Sequence, residues 1–171
     1  MITIRHTLTD DIPQLQRLAI ETQVETFGAY NTEANMKAYL DQAYNLAALH
    51  RELEEPGSLN YLAFVDDALA GFMRLRRTDE VAHLLGENTI ELQRLYVDKN
   101  FQGKGVGAAL MKEALAQATA GKFDWIWLGV WERNFKAQEF YAAWGFERFS
   151  EHIFPMGDDP QTDWLLRKKI L

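Results

Sequence analysis

The sequence predicts one α/β domain with a mixed central β-sheet flanked by helices. Three observations predict it. Segments of strand period alternate with segments of helical period along the whole chain. Short turn-forming clusters separate them. No linker, repeat or low-complexity tract divides residues 1–171, and strands interleaved with helices in this order build a single layered domain. A chain of 171 residues can bury a substantial core. Its 47% hydrophobic and 12% aromatic content is that of a folded protein.

Each element has a local reason. Ile2, Ile4, His6 and Leu8 alternate with Thr3, Arg5 and Thr7, which is strand period. Thr9, Asp10 and Asp11 with Pro13 in the first turn then mark a helix start. Ile12, Leu15, Leu18 and Ala19 keep helical spacing toward Phe27, and Gly28 ends the run. Asn31 and Thr32 open a second helix through Met36, Tyr39, Leu40 and Tyr44. A short third helix carries Leu46, Leu49 and Leu53, and Glu55, Pro56, Gly57 and Ser58 stop it. Asp66 and Asp67 separate two apolar runs, which reads as a hairpin. Residues 78–88 read as a loop with a short turn, and 89–97 as a strand. Residues 106–120 form a strong helix with Val106, Leu110, Ala114 and Leu115 inward, closed by Gly121. Residues 124–131 make a buried strand, 134–144 a helix followed by Gly145, and 146–154 and 163–171 the final strands.

Composition removes several function classes. With no cysteine, disulfides, thiolate catalysis and Cys-based zinc sites are excluded. His6, His50, His83 and His152 share no ligand spacing, so no metal is expected. No apolar run approaches the roughly 20 residues of a membrane helix, and residues 1–11 lack the features of a signal peptide. A cytoplasmic protein is expected. The net charge is −7 without a Lys/Arg cluster, which argues against nucleic acid. The acidic surface either steers a cationic small molecule or is only a solvated exterior.

The chemistry concentrates in FQGKGVGAAL, residues 101–110. A Walker A loop needs Ser or Thr after Lys104 and glycine at position 98; Gly105 and Asp98 stand there. Gly103, Gly105 and Ala108 satisfy a dinucleotide pattern, but residues 98–102 separate the first glycine from the strand, and no acidic residue follows at the required distance. The third pattern is Q-x-x-G-x-G, carried by Gln102, Gly105 and Gly107. Glycines let backbone N–H groups approach a phosphate, and the helix start adds its dipole. Lys104 can add charge. The alternative is a plain loop leading into a helix.

The strand ELQRLYV before this loop and WLGVWERNFKAQEFYAAWGF after it make the set resemble the acetyl-CoA-binding core of the GCN5-related N-acetyltransferases. The resemblance implies an acetyltransferase fold and acetyl-CoA as cosubstrate. It implies pyrophosphate binding by Gln102, Gly103, Lys104, Gly105, Val106, Gly107 and Ala108. It also implies pantetheine contacts from the backbone of Leu95, Tyr96 and Val97 beside a strand bulge, and further contacts from Asn134 and Tyr141. Asn134, Ala137 or Gln138, and Tyr141 share one helix face by spacing. Tyr141 reads either as the acid that protonates the departing thiolate or as a packed core aromatic.

Residues 20–45 and 156–166 resemble the substrate-side segments of PaiA-type polyamine N-acetyltransferases, which implies spermidine or spermine as acceptor. The other acceptors open are a protein amino group or an amine antibiotic, and a non-catalytic coenzyme A-binding module is a further alternative. Deprotonating an alkyl ammonium needs a proton acceptor. The resemblance leads us to expect Glu where this chain has Gln93, so Glu91 becomes the candidate base through water, or else an exposed strand carboxylate. Gln93 and Tyr30 are candidate acceptor-binding residues. Tyr30, Tyr39 and Tyr44 either box a cation or pack helices; Asp158, Asp159 and Asp163 either hold an ammonium or form a solvated turn. Trp125 and Trp127 read as core, and Trp131 as a residue able to reach the cofactor. The expected partner is a small-molecule amine, with no nucleic acid or membrane and with a homodimer left open.

Overall fold

A computed structural model describes residues 1–170. Its strands are β1 (Ile2–His6), β2 (Leu59–Val65), β3 (Ala68–Arg76), β4 (Thr89–Val97), β5 (Trp125–Trp131), β6 (Glu147–Met156) and β7 (Asp159–Lys169). Its helices are α1 (Ile12–Phe27), α2 (Glu33–Ala43), α3 (Leu46–Glu54), α4 (Ala82–Leu85), α5 (Val106–Ala120) and α6 (Phe135–Ala143). The strands form one seven-stranded sheet in the order β1-β2-β3-β4-β5-β7-β6. Only β4 and β5 run parallel, so the sheet is mixed.

Two differences from the sequence reading are local. Residues 78–88 contain the short helix α4, in which Leu85 and the preceding Val81 pack under the sheet beside Trp127. The last strand starts at Asp159, four residues earlier than expected, because β6 and β7 continue as a long hairpin beyond the main sheet. Leu171, the last residue of the expected final strand, lies outside the described residues. Among the described residues no helix is long and apolar enough to cross a membrane.

Alternation sorts side chains onto two faces. Ala63, Met73, Leu75, Ile90, Leu92 and Leu128 point toward α5 and α6, where Val106, Leu110, Met111 and Tyr141 complete the largest core. Leu62 and Phe72 point the other way, onto Ile12, Leu15 and Ala19 of α1 and Leu49 of α3. A third cluster joins Phe27, Met36, Trp131 and Met156, so α1 and α2 meet the β6–β7 hairpin over the end of β5.

The start of α1 is fixed by Asp11. Its carboxylate accepts from Arg5 Nη1 at 2.7 Å and Nη2 at 2.9 Å, from Leu8 N at 2.7 Å and from Gln14 Nε2 at 2.8 Å. These partners, Arg5 first, hold its pKa down to about 2. A depressed carboxylate stabilises the fold above its ordinary pKa and loses that contribution as pH falls through the depressed one. Asp11→Ala should lower unfolding free energy by roughly 2 kcal/mol at neutral pH, and urea titrations should show the difference from wild type shrinking between pH 4 and 2.

Candidate active site

The parallel pair β4–β5 is short. It pairs Thr89 with Trp125, Ile90 with Ile126 and Glu91 with Trp127, and then the strands part. In β4 the register against β3 steps from Leu92 opposite Leu75 to Arg94 opposite Arg74, leaving Gln93 as an extra, bulged residue. From Leu92 to Val97, β4 is bonded on one edge only, and its other edge faces a gap walled by Leu128 to Trp131. Unpaired backbone groups along such a gap need a partner.

A loop closes one end of the gap. Asp98 N donates to Ala70 O at 2.8 Å, and Asp98 Oδ1 accepts from Asn100 N at 2.8 Å, which turns the chain out of β4. Gly103 and Gly105 then take φ of +76° and +87°, a left-handed geometry that glycine adopts without Cβ strain. A Cβ at Gly103 would meet nothing within 4 Å, and one at Gly105 only Ile2 Cδ1 at 3.7 Å. Among the described residues, the backbone N–H groups from 103 to 108 make no protein hydrogen bond of good geometry. They sit at the start of the 15-residue helix α5, whose dipole adds positive potential. Open space, free amides and a helix start together suit a diphosphate.

Gln102 does not face that space freely. Its Nε2 donates to Val97 O at 3.3 Å and its Oε1 accepts from Lys136 Nζ at 2.5 Å, so it ties the loop to β4 and α6. Lys104 lies 5.4 Å from the Phe101 ring centre. Leu95 and Val97 point into the main core, while Tyr96 points to the opposite face against Phe72. Asn134 caps α6, with Oδ1 accepting from Ala137 N at 3.2 Å. Tyr141, two turns further along the same face of α6, is 9% exposed and packs beside Phe140 and Phe146. Burial, with the Tyr96 phenol adding to it, pushes the Tyr141 pKa up, so the phenol stays protonated at neutral pH.

On the other side of the gap, Glu91 and Gln93 both lie beside arginines. Arg76 Nε donates to Glu91 Oε1 at 2.6 Å. Burial still raises the Glu91 carboxyl, against the opposing pull of Arg76. Gln93 Oε1 accepts from Arg74, which also pairs with Glu52 and Glu55. Arginine has only donors, so the amide oxygen must face it and the Gln93 NH2 is left pointing away as a donor. Tyr30 is 56% exposed and sits edge-on to Trp131 at 5.0 Å. Tyr44 is buried with the Arg94 guanidinium 4.6 Å from its ring centre, so it packs rather than boxing a ligand. Trp131 packs with Phe27, Met36 and Met156 at the end of β5, and its carbonyl accepts from Asn134 N at 2.9 Å.

Two features escaped sequence reading. One is the pair of arginines that hold Glu91 and Gln93, since nothing in β3 alone shows their targets. The other joins three elements: His152 Nδ1 is 2.9 Å from Glu80 Oε1, and His152 Nε2 is 3.5 Å from Asp163 Oδ2. Only the matched positions of His152 and Asp163 on two successive strands hinted at the second contact.

A parted β4–β5 pair, a bulge in β4 and a glycine loop opening α5 define an acetyl-CoA-dependent N-acetyltransferase, and the chain belongs to the acetyltransferase (GNAT) family, whose pattern it matches over residues 18–146. An uncharacterized N-acetyltransferase from the pepI 3′ region of Lactobacillus delbrueckii subsp. lactis is 38% identical over 161 residues, 94% of this chain and 93% of that protein. Human N-acetylaspartate synthetase is 29% identical over 133 residues, 72% of this chain and 40% of that protein. Among solved structures, the PaiA N-acetyltransferase of Thermoplasma acidophilum with coenzyme A shares the fold with a TM-score of 0.83, at 24% identity over 99% of each chain.

If the loop amides hold the diphosphate, Gly105→Val should remove binding. A β-branched residue at φ +87° is strained by roughly 1–2 kcal/mol, and its side chain would enter the open space. Calorimetric titration should show acetyl-CoA affinity down by more than about tenfold; unchanged affinity would displace the site from this loop.

Proposed function

We propose that this N-acetyltransferase acetylates a primary amine of a small cationic acceptor in the cytoplasm, with spermidine and spermine as the first candidates, by direct attack in a ternary complex. The observation that carries the acceptor reading is the meeting of its two acceptor-side segments. Residues 20–45 and 156–166 come together through Phe27, Met36 and Met156 around Trp131, at the end of β5 beside the gap. The full-length likeness to PaiA in fold supports the same reading.

Acetyl-CoA supplies a thioester: the C–S bond breaks, a C–N bond forms to the amine, and the thiolate sulfur takes a proton. Residues 102–108 hold the diphosphate, the gap-facing backbone of Leu95, Tyr96 and Val97 orients the pantetheine, and Asn134 borders it. Tyr141 donates the proton to sulfur; burial keeps its phenol protonated at neutral pH, so the proton is present to be given. Glu91 takes the ammonium proton through water. Its raised pKa makes it a better proton acceptor than an exposed glutamate, and Arg76 fixes its carboxylate. Gln93 and Tyr30 border the acceptor.

One observation favours a second acceptor class. The free NH2 of Gln93 is a donor, and an ammonium offers it no acceptor atom. A carbonyl or carboxylate oxygen next to the reacting amine would, as in an α-amino acid or a peptide N-terminus.

Thiol release with spermidine, spermine, free α-amino acids and an N-terminal peptide distinguishes the readings. Turnover with the polyamines is expected; turnover only with α-amines would overturn the polyamine assignment. Tyr141→Phe should lower kcat on the order of 100-fold with acetyl-CoA affinity unchanged. Glu91→Gln should lower kcat and shift the acidic limb of the pH–rate profile, and an unaltered profile would remove Glu91 from proton transfer.

A further inference from the structure

Gly129 lies in β5 two residues beyond the last pair that β5 makes with β4, so it borders the gap. A glycine inside a strand often marks close approach of another group. Here the group is Asp163: a Cβ at Gly129 would stand 3.3 Å from Asp163 Oδ2 and 3.7 Å from His152 Nε2. The missing side chain lets a carboxylate from β7 lie across β5 toward the gap.

That carboxylate is held in a defined way. His152 is the register partner of Asp163 on β6, and its Nε2 is 3.5 Å from Asp163 Oδ2. The other imidazole nitrogen is 2.9 Å from Glu80, from the segment before α4. The adjoining Asp163 carboxylate, followed by Glu80, raises the His152 pKa against the effect of burial. With His152 protonated the three groups carry one net negative charge. The nearby arginines do not cancel it: Arg76 is paired with Glu91, Arg94 with Glu52, and Arg74 with Glu52 and Glu55. Among the described residues, His152 is the one ion-pair partner of Asp163.

The side chains around Asp163 are polar. Burial first, with Asp163 among the lesser contributors, raises the phenols of Tyr39 on α2 and Tyr96 on β4, so both hydroxyls lie within electrostatic reach of the carboxylate. Gln23 of α1 sets its amide beside the Tyr96 hydroxyl. Gln23 is 1% exposed, and both its Nε2 and Oε1 lack a protein partner. A buried amide with neither group satisfied is costly unless something polar completes it.

We propose that Asp163 receives the positively charged nitrogen of the acceptor, and that His152, anchored by Glu80, is the positioning residue that holds the carboxylate over Gly129. This rests on the proposed cationic acceptor and names the group that recognises its charge. The recognition carboxylate is on β7, whereas the proton acceptor proposed above is on β4. An acceptor nitrogen therefore enters between two strands on either side of the gap, and Gln23 and Tyr96 border it from the helix side.

The test pairs steady-state kinetics with NMR titration of the His152 imidazole in the full chain. Spermidine added to wild type should shift the His152 pKa downward, because a second cation beside Asp163 disfavours imidazolium. In Asp163→Asn the shift should vanish and the KM for spermidine should rise about tenfold or more, equivalent to 1.4 kcal/mol, with acetyl-CoA affinity unchanged. His152→Gln retains a hydrogen-bond donor without the charge and should raise the spermidine KM less than His152→Ala does. Thermal unfolding of each variant checks that it is folded, and His152→Gln carries the test if Asp163→Asn is not. Acetylation of spermidine with the same KM in wild type and Asp163→Asn would overturn this inference while leaving the acceptor reading intact. A wild-type His152 shift without acetylation would keep the site and overturn the acceptor reading. Neither shift nor acetylation would overturn the inference.

Discussion

The structure depends on two parallel strands that stop pairing. A parallel pair in the middle of a sheet ordinarily continues for the length of its strands, because each unpaired backbone group buried there is costly. Here the bulge at Gln93 adds a residue to β4 and turns it away from β5 after Glu91. The candidate site is arranged around the resulting gap. The glycine loop closes one end, α6 covers one face, and α1, α2 and the β6–β7 hairpin cover the other.

The opening demands charge management on its acceptor side. Arg74, Arg76 and Arg94 come from β3 and β4 and would make that wall strongly positive. Glu52 and Glu55 from α3 and the following turn, and Glu91 from β4 itself, neutralise them. Such pairs contribute little net stability against their desolvation. Their larger effect is geometric: they fix α3 against the sheet, point the Gln93 amide outward and hold Glu91 still. The negative charge that remains lies on the opposite wall, at Asp163.

The elements with strong periodicity were legible because local and tertiary forces agree in them. Residues 106–120 form α5 with the expected Gly121 close, and Asp66 and Asp67 take the positive φ values of a tight hairpin turn. The conformation of the glycine loop was legible because its positive-φ positions, 103 and 105, are glycines, and sequence encodes that directly. The side-chain partners along β4 were not. Glu91 read as a candidate base or an exposed carboxylate and Gln93 as an acceptor contact, while the arginines that hold them lie 15 and 19 positions away on a neighbouring strand. His152 and Asp163 sit on a hairpin whose register is visible only once the strands are paired, and Glu80 joins them from 72 residues upstream of His152. Long-range side-chain partners have no local signal.

The three-residue seam between β4 and β5 also has a mechanical meaning. β1 to β4 form one antiparallel block, and β5, β7 and β6 form another. Few main-chain bonds cross between them, and the two blocks are joined chiefly by the core they share under α5 and α6. The alignment of groups on opposite sides of the seam is therefore set by side-chain packing more than by the ladder of the sheet.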